Sequence, residues 1–415
     1  MEITMDKTQK LFLEALSASL KNEKVSWTEL SPQEWAGLFS LSESHHVLPL
    51  IYDAVYSCEA AKSAPEGFLI HGKQHTMQMV MLQTMKTNEF LRLYTNLCEA
   101  DVKPLVVKGL VCRSLYPNPD YRFSSDEDLL ISEGDFEVCM KVMSDFGLST
   151  SESDLSAFEL PFLKKDSPLY IELHKKLFSP DSEAYGDFNR FFENAHENAV
   201  CEVIDGQEIY TLCPTDHLFY LICHAFKHLL HGGFGIRQVC DIVMFASRYG
   251  ERIDWGRVLA SCKEISADKF AAAMFRIGEN NLGFSSDNAH MSEDWRKIEI
   301  DETDLLADLL ASGIYGGASL SRKHSSNITL DAFASNKNGK KSGNAVIKSL
   351  FPPAKALKGR YPYLQKHPYL LPVAWVNRII GYRKETKSSN SSNASEALQI
   401  GKDRVELLKQ YGIIK

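Results

Sequence analysis

The sequence predicts an α+β chain in which a small sheet-bearing unit lies between an N-terminal and a C-terminal helical region. Three observations carry that prediction. The stretch from Gln74 to Glu99 is amphipathic and contains neither Gly nor Pro, which predicts one long helix. From Val102 to His174 the apolar runs become short and β-branched, and Gly, Pro and Asp clusters separate them as strands are separated by turns. From Pro214 to Ala273 the helical period returns.

Residues 1–100 are expected to be helical. Leu11, Phe12, Leu13, Leu16 and Leu20 recur near helical spacing, as do Val47, Leu50, Ile51 and Val55. Ser31-Pro32-Gln33-Glu34 reads as a helix start, because Ser caps, Pro suits the first turn and Glu34 stands at the capping-box position. His45, His46 and Trp35 read as packing residues.

Residues 101–210 form the expected α/β unit. Val102–Val107 is a buried strand that stops at the turn Lys108-Gly109, and Leu110–Tyr116 is a short helix closed by Pro117-Asn118-Pro119-Asp120. A strand over Asp126–Ile131 and a helix over Asp135–Phe146 follow. Phe158–Lys164 and Leu169–His174 then flank Lys165-Asp166-Ser167-Pro168 as a hairpin. Residues 211–320 are expected to form a helical domain, with Asp216–Leu230 and Gly235–Tyr249 separated by Gly232-Gly233. Residues 321–415 read as a tail: polar loops at 325–345 and Ser388–Ser395, an aperiodic aromatic stretch from Tyr361 to Tyr382, and a last helix over Ala397–Tyr411.

Composition limits the partners. The 415 residues carry a net charge of −8, and 44% are hydrophobic. Binding to extended nucleic acid draws on a basic surface, so that partner is not expected. The nine cysteines include no C-x-x-C pair, the first residues lack a basic-then-apolar signal, and no apolar run reaches the roughly 18–20 residues of a membrane span. A soluble cytoplasmic chain with reduced thiols is the expectation; oligomeric state is not legible.

The chemistry concentrates in acidic residues. Alternation along Asp126-Glu127-Asp128-Leu129 sends Asp126 and Asp128 to one face. Two adjacent carboxylates repel each other, and hard divalent cations such as Mg²⁺ (or Mn²⁺) relieve that repulsion while bridging phosphates. Glu172 lies between the apolar Ile171 and Leu173 and so faces away from their core, a fitting third ligand. The plainer alternative is an exposed edge strand with surface acids. Lys108-Gly109 ends the preceding strand at a helix start, where backbone N–H groups favour anions. On one helix, His224 and His228 share a face, and His231 reads as structural. Arg237 and Asp241 stand one turn apart as a potential local pair. The Glu of H-E-x-x-H is missing, which argues against a zinc protease.

Val107-Lys108-Gly109, Leu115-Tyr116-Pro117, Arg122, Ser125-Asp126-Glu127-Asp128-Leu129-Leu130-Ile131 and Ile171-Glu172-Leu173-His174 together resemble a bacterial family of uncharacterised nucleotidyltransferases. That family lies within the DNA polymerase β-like superfamily. The resemblance extends to Trp35–Tyr52 and His224–Asp241. It implies a nucleotidyltransferase-type mixed β-sheet and in-line attack on the α-phosphorus of a nucleoside triphosphate, ATP being the expected donor. Asp126, Asp128 and Glu172 would be the catalytic and metal-holding residues, with Glu172 on the acceptor side. Gly109, with Lys108 or Arg122, would meet the β and γ phosphates, unless Arg122 only braces the Asp pair. Ser125 stands beside that pair. His174 would orient Glu172 or touch a phosphate, and His224, His228 and Asp241 would line the nucleotide or acceptor pocket. The acceptor, a small molecule, peptide or protein, is not legible. The competing expectation is a catalytically inactive nucleotide-binding or regulatory protein of the same fold.

Overall fold

Reciprocal side-chain capping starts the first two helices. Asp6 caps α1 (Lys7–Leu20), and Ser31 Oγ accepts from Glu34 N at 3.3 Å while Glu34 returns a bond to Ser31 N at 2.7 Å at the head of α2 (Pro32–Ser44). The computed structural model describes residues 5–65, 67–152, 154–313, 320–337, 357, 361, 363–377 and 394–415. α3 (Leu48–Val55) follows, then the long α4 (Phe68–Glu99). The buried face of α4 runs through Gln83, Lys86, Thr87, Phe90, Leu93, Tyr94 and Leu97.

A five-stranded mixed sheet follows, built from β1 (Leu105–Val107), β2 (Glu127–Leu130), β3 (Leu148–Ser149), β4 (Glu159–Lys164) and β5 (Tyr170–His174) in the order β1-β2-β5-β4-β3. The helix α5 (Gly109–Arg113) links β1 to β2, and α6 (Phe136–Asp145) links β2 to β3. β2 runs antiparallel to β1 and parallel to β5; β4 is antiparallel to both β5 and β3. Parallel pairing needs a crossover connection, and α6 with β3 and β4 supplies it. The fold class is thus α+β, with a small mixed sheet flanked by helices.

A separate hairpin, β6 (Val200–Ile204) and β7 (Gln207–Thr211), turns at Asp205-Gly206, both with positive φ, as a two-residue turn requires. Tyr94 joins the parts: its hydroxyl donates to Pro104 O and accepts from Tyr210 N, both at 2.9 Å. The helical layer is α7 (Pro214–His231), α8 (Ile236–Tyr249), α9 (Trp255–Glu264), α10 (Asp268–Asn281), α11 (Glu293–Arg296) and α12 (Thr303–Ser312). One buried apolar cluster extends from Leu11 to Ile414. No helix among the described residues is long and apolar enough to cross a membrane.

The tail departs from expectation. Residues 325–337 are not a loop but belong to α13 (Leu320–Lys337). Ile328, Thr329, Ala332 and Phe333 are buried at helical spacing, with the Phe333 ring 5.5 Å from Phe226, so a polar composition concealed an apolar stripe. The expected loop residues 338–345 and 388–393 lie outside the described residues. Within Tyr361–Tyr382, Tyr363–Lys366 and Pro368–Leu370 form helical turns, residues 371–377 are helical, and 378–382 lie outside. The last helix, α14 (Ala394–Gln410), starts three residues earlier than its expected beginning at Ala397.

Candidate active site

The parallel register of β2 and β5 sets the centre of the site. It places Asp128 beside Glu172, and Leu130 beside His174. The same register puts Glu127 beside Ile171 and Leu129 beside Leu173, with Leu129, Ile171 and Leu173 fully buried. Alternation along β5 returns His174 to the face of Glu172, and its Nε2 reaches Asp128 Oδ1 at 3.1 Å and Glu172 Oε2 at 3.8 Å. Its Nδ1 stands 3.6 Å from Glu159 Oε2 on β4. One donor atom each from Asp128, Glu172 and His174 falls within 4.8 Å of the others. Asp126 lies one residue before β2 and is half-buried; it is not in that tight trio. Its Oδ1 accepts from the exposed Ser125 at 3.2 Å.

The electrostatics of the two central carboxylates diverge. Burial pushes Asp128 up, but Lys108 and His174 outweigh it and hold its carboxyl well below the usual range. Burial and the charges of Asp128 and Asp126 push Glu172 up to about 7. The cost of holding two negative charges side by side therefore falls on Glu172, which is the one that favours its protonated form.

Lys108 owes its position to strained backbone. Its φ of 68° and ψ of −103° are unusual for a side-chain-bearing residue. Its N–H donates to His217 Nε2 at 3.1 Å, and Thr211 Oγ1, which donates to Val106 O, lies 3.1 Å from His217 Nδ1. Burial pushes His217 down to about 3, so it stays a neutral acceptor. This turn carries Lys108 Nζ to 2.9 Å from Asp128 Oδ2 and 3.4 Å from His224 Nε2.

The opposite side of β2 carries a charge where apolar packing is the rule. Glu127 is fully buried and accepts from Leu110 N and Arg113 Nη1, both at 2.9 Å. Of the backbone N–H groups at the start of α5, expected from sequence to favour an anion, that of Leu110 is thus engaged by Glu127. Gly109 is required here, because a Cβ would come 2.1 Å from Glu127 Oε2. Ser124, leading into the acidic strand, is held three ways. Its N–H donates to Gln83 Oε1 at 2.9 Å, its carbonyl accepts from Lys86 Nζ at 2.8 Å, and its hydroxyl accepts from Arg113 at 3.0 Å. Burial pushes the Lys86 ammonium down to about 8, opposed by Glu127 and Asp126.

Helix α7 covers the centre with a polar stripe at helical spacing: His217, Tyr220, His224, Lys227 and His228. His224 and His228 Nε2 atoms stand 3.3 Å apart, and burial, then nearby lysines, depress both imidazoles well below their ordinary value. Lys227 is depressed by burial and by Lys108. Arg122 does not meet the Asp pair. It forms a bidentate pair with Asp241 (2.9 and 2.6 Å), whose Oδ1 also accepts from Tyr116 at 2.8 Å, all three side chains being buried. Arg237 donates instead to Phe123 O, and His231 lies 3.0 Å from the Tyr185 hydroxyl.

The structure therefore gathers Asp128, Glu172, His174, Lys108, His224 and His228, with Asp126 and Ser125 at the edge and Arg122 with Asp241 in the supporting wall. Gln83, Lys86, Arg113, His217 and Lys227 were not singled out in the sequence. Gln83 and Lys86 had a signal, since they share the helical face of Phe90, Leu93 and Leu97.

No curated protein and no solved structure matches the chain. A family model described as an uncharacterised nucleotidyltransferase matches residues 31–283, from the cap of α2 to just past α10 and including every residue of the site. The chain belongs to this family of uncharacterised nucleotidyltransferases.

Proposed function

We propose that the protein transfers a nucleoside monophosphate from a nucleoside triphosphate, ATP being the expected donor, to an acceptor hydroxyl, with Asp126, Asp128 and Glu172 as catalytic and metal-holding residues. The observation that carries this reading is the in-register placement of Asp128 and Glu172 on parallel strands. The donor set fits a divalent cation: carboxylate oxygens converge, and burial together with the charges of Asp128 and Asp126 pushes Glu172 up to about 7. Bound Mg²⁺ or Mn²⁺ would supply Lewis-acid stabilisation of the charge on the attacking and leaving oxygens.

The side chains divide the remaining work. Glu172, with its raised proton affinity, is suited to accept the proton of the acceptor hydroxyl. His174 orients Asp128 through its 3.1 Å contact. Lys108 and Lys227 provide positive charge for the triphosphate, assisted by the Gly109 backbone and Ser125 Oγ. The depressed His224 and His228 stay neutral and line the pocket without adding charge. Arg122 and Asp241 hold the wall behind Tyr116.

One observation favours a second reading. Lys108 Nζ already neutralises Asp128, as it would in a nucleotide-binding regulatory protein without turnover. Incubation with Mg²⁺, α-labelled nucleotides and cell lysate separates the two. Under the enzyme reading, label moves to an acceptor and falls at least about 100-fold in Asp126→Ala/Asp128→Ala. Transfer that persists in the double variant overturns the site assignment. Nucleotide binding without transfer, unchanged by the double substitution, supports the regulatory reading.

A further inference from the structure

His71 and His75 stand four residues apart on α4, so both imidazoles leave the same face of that helix. Between them is Gly72, where a Cβ would come 2.6 Å from Phe39 Cε1. The bare backbone lets α4 approach α2 closely at Phe39, whose ring also packs edge-on against Phe68 at 4.7 Å. Glu43 lies one turn beyond Phe39 on α2, and His75 lies one turn beyond Gly72 on α4. The crossing therefore sets Glu43 Oε1 3.4 Å from His75 Nδ1. One donor atom each from Glu43, His71 and His75 lies within 4.8 Å of the other two.

We propose that Glu43, His71 and His75 form a second metal site, separate from the acidic centre, that takes a borderline divalent transition-metal ion such as Zn²⁺. Tetrahedral Zn²⁺ with bonds of about 2.0–2.1 Å spaces its donor atoms about 3.3 Å apart, so the Glu43–His75 separation already matches. Glu43 and His71 are exposed and His75 is half-buried, so modest rotation of the side chains closes the remaining distance. Two imidazoles and one carboxylate select Zn²⁺ or its neighbours over Mg²⁺, which prefers oxygen donors. A surface ion pair would account for Glu43 and His75 alone. It leaves His71, whose ring centroid lies 6.3 Å from that of His75, without a part in the pairing. Bound metal would pin α2 to α4, the helix whose Gln83 and Lys86 hold Ser124 ahead of the acidic strand.

The proposal does not depend on nucleotidyl transfer, and its test reads binding alone. Full-length Asp128→Asn/Glu172→Gln protein, which lacks the two central carboxylates, is stripped with chelator and titrated with Zn²⁺ by calorimetry and with Co²⁺ by visible absorption. One equivalent is expected, with a d–d band and a rise in Tm on adding Zn²⁺. His71→Ala or His75→Ala should each abolish the band and weaken Zn²⁺ binding at least about tenfold. In the otherwise unaltered chain, held in excess Mg²⁺, His71→Ala should remove one equivalent of Zn²⁺, a comparison that stands if the double variant folds poorly. Zn²⁺ binding and Tm shift that are absent, or unchanged by the His71 and His75 substitutions, overturn the proposal.

Discussion

Lys108 Nζ lies 2.9 Å from Asp128 Oδ2, and both side chains are almost wholly withdrawn from solvent. Removing one partner leaves the other buried and unpaired, so Lys108→Met should destabilise the protein by about 3–5 kcal/mol. With Asp128 held below the usual carboxylate range, this pair contributes stability that is present above about pH 4 and lost as pH falls further. Denaturant titrations from pH 3 to 7 should show the difference between Lys108→Met and the parent chain shrinking towards the acid end. A difference that stays constant with pH would reject this assignment.

Glu172 has the opposite sign. Its proton affinity is raised in the folded state, so its contribution is intact below about pH 4.5 and declines as pH rises towards and past about 7. In chelator, Glu172→Gln should be more stable than the parent chain at pH 8, by about 2–3 kcal/mol, and equal to it near pH 4. Adding Mg²⁺ at pH 8 should stabilise the parent and leave Glu172→Gln unmoved. Transfer activity should rise through the same pH range if, as proposed, Glu172 works as the deprotonated carboxylate.

Arg122 and Asp241 test the role of the wall. Their buried bidentate pair predicts a loss of about 3–5 kcal/mol for Asp241→Ala, read as a fall in Tm. Arg122→Met/Asp241→Leu should recover much of it, because replacing both charges removes the uncompensated one. If Arg122 served phosphate instead, nucleotide affinity would fall in Arg122→Met while Tm in the double variant stayed low.

Gly109 and Glu127 interlock. Gly109→Ala places a methyl 2.1 Å from Glu127 Oε2, so a cost of about 1–3 kcal/mol is expected. Gly109→Ala/Glu127→Asp shortens the opposing side chain and should relieve part of that cost. Equal stability of Gly109→Ala and the parent chain would show that the turn has room the geometry denies.

Local signals made much of this legible, and pairing made the rest invisible. Apolar neighbours on both sides of Glu172 indicate its face, and the Lys108-Gly109 turn marks where β1 must stop. Nothing local indicates that β2 lies parallel to β5 or that Asp128 meets Glu172, because strand partners are chosen by the packed sheet. Glu127 stands inside the D-x-D motif at a position that is normally apolar; only Arg113 and the Leu110 N–H explain a charge in the core. Asp241 offered Arg237 as its partner one turn away, but the tertiary fold brought Arg122 and Tyr116 instead. In α13, helical spacing of Ile328, Ala332 and Phe333 was hidden by the polar residues around them.

The parallel ladder between β2 and β5 also governs when the site comes into being. A hairpin can close early from neighbouring residues, and β4 with β5 is such a pair. The β2–β5 ladder must wait until α6, β3 and β4 have looped out and returned, which is slow because loop closure precedes any reward. Asp128 and Glu172 are therefore expected to become neighbours only after that crossover has closed. Until that ladder closes, nothing holds the two carboxylates side by side, so the pairing on which the proposed metal site rests is expected to arrive with the completed sheet.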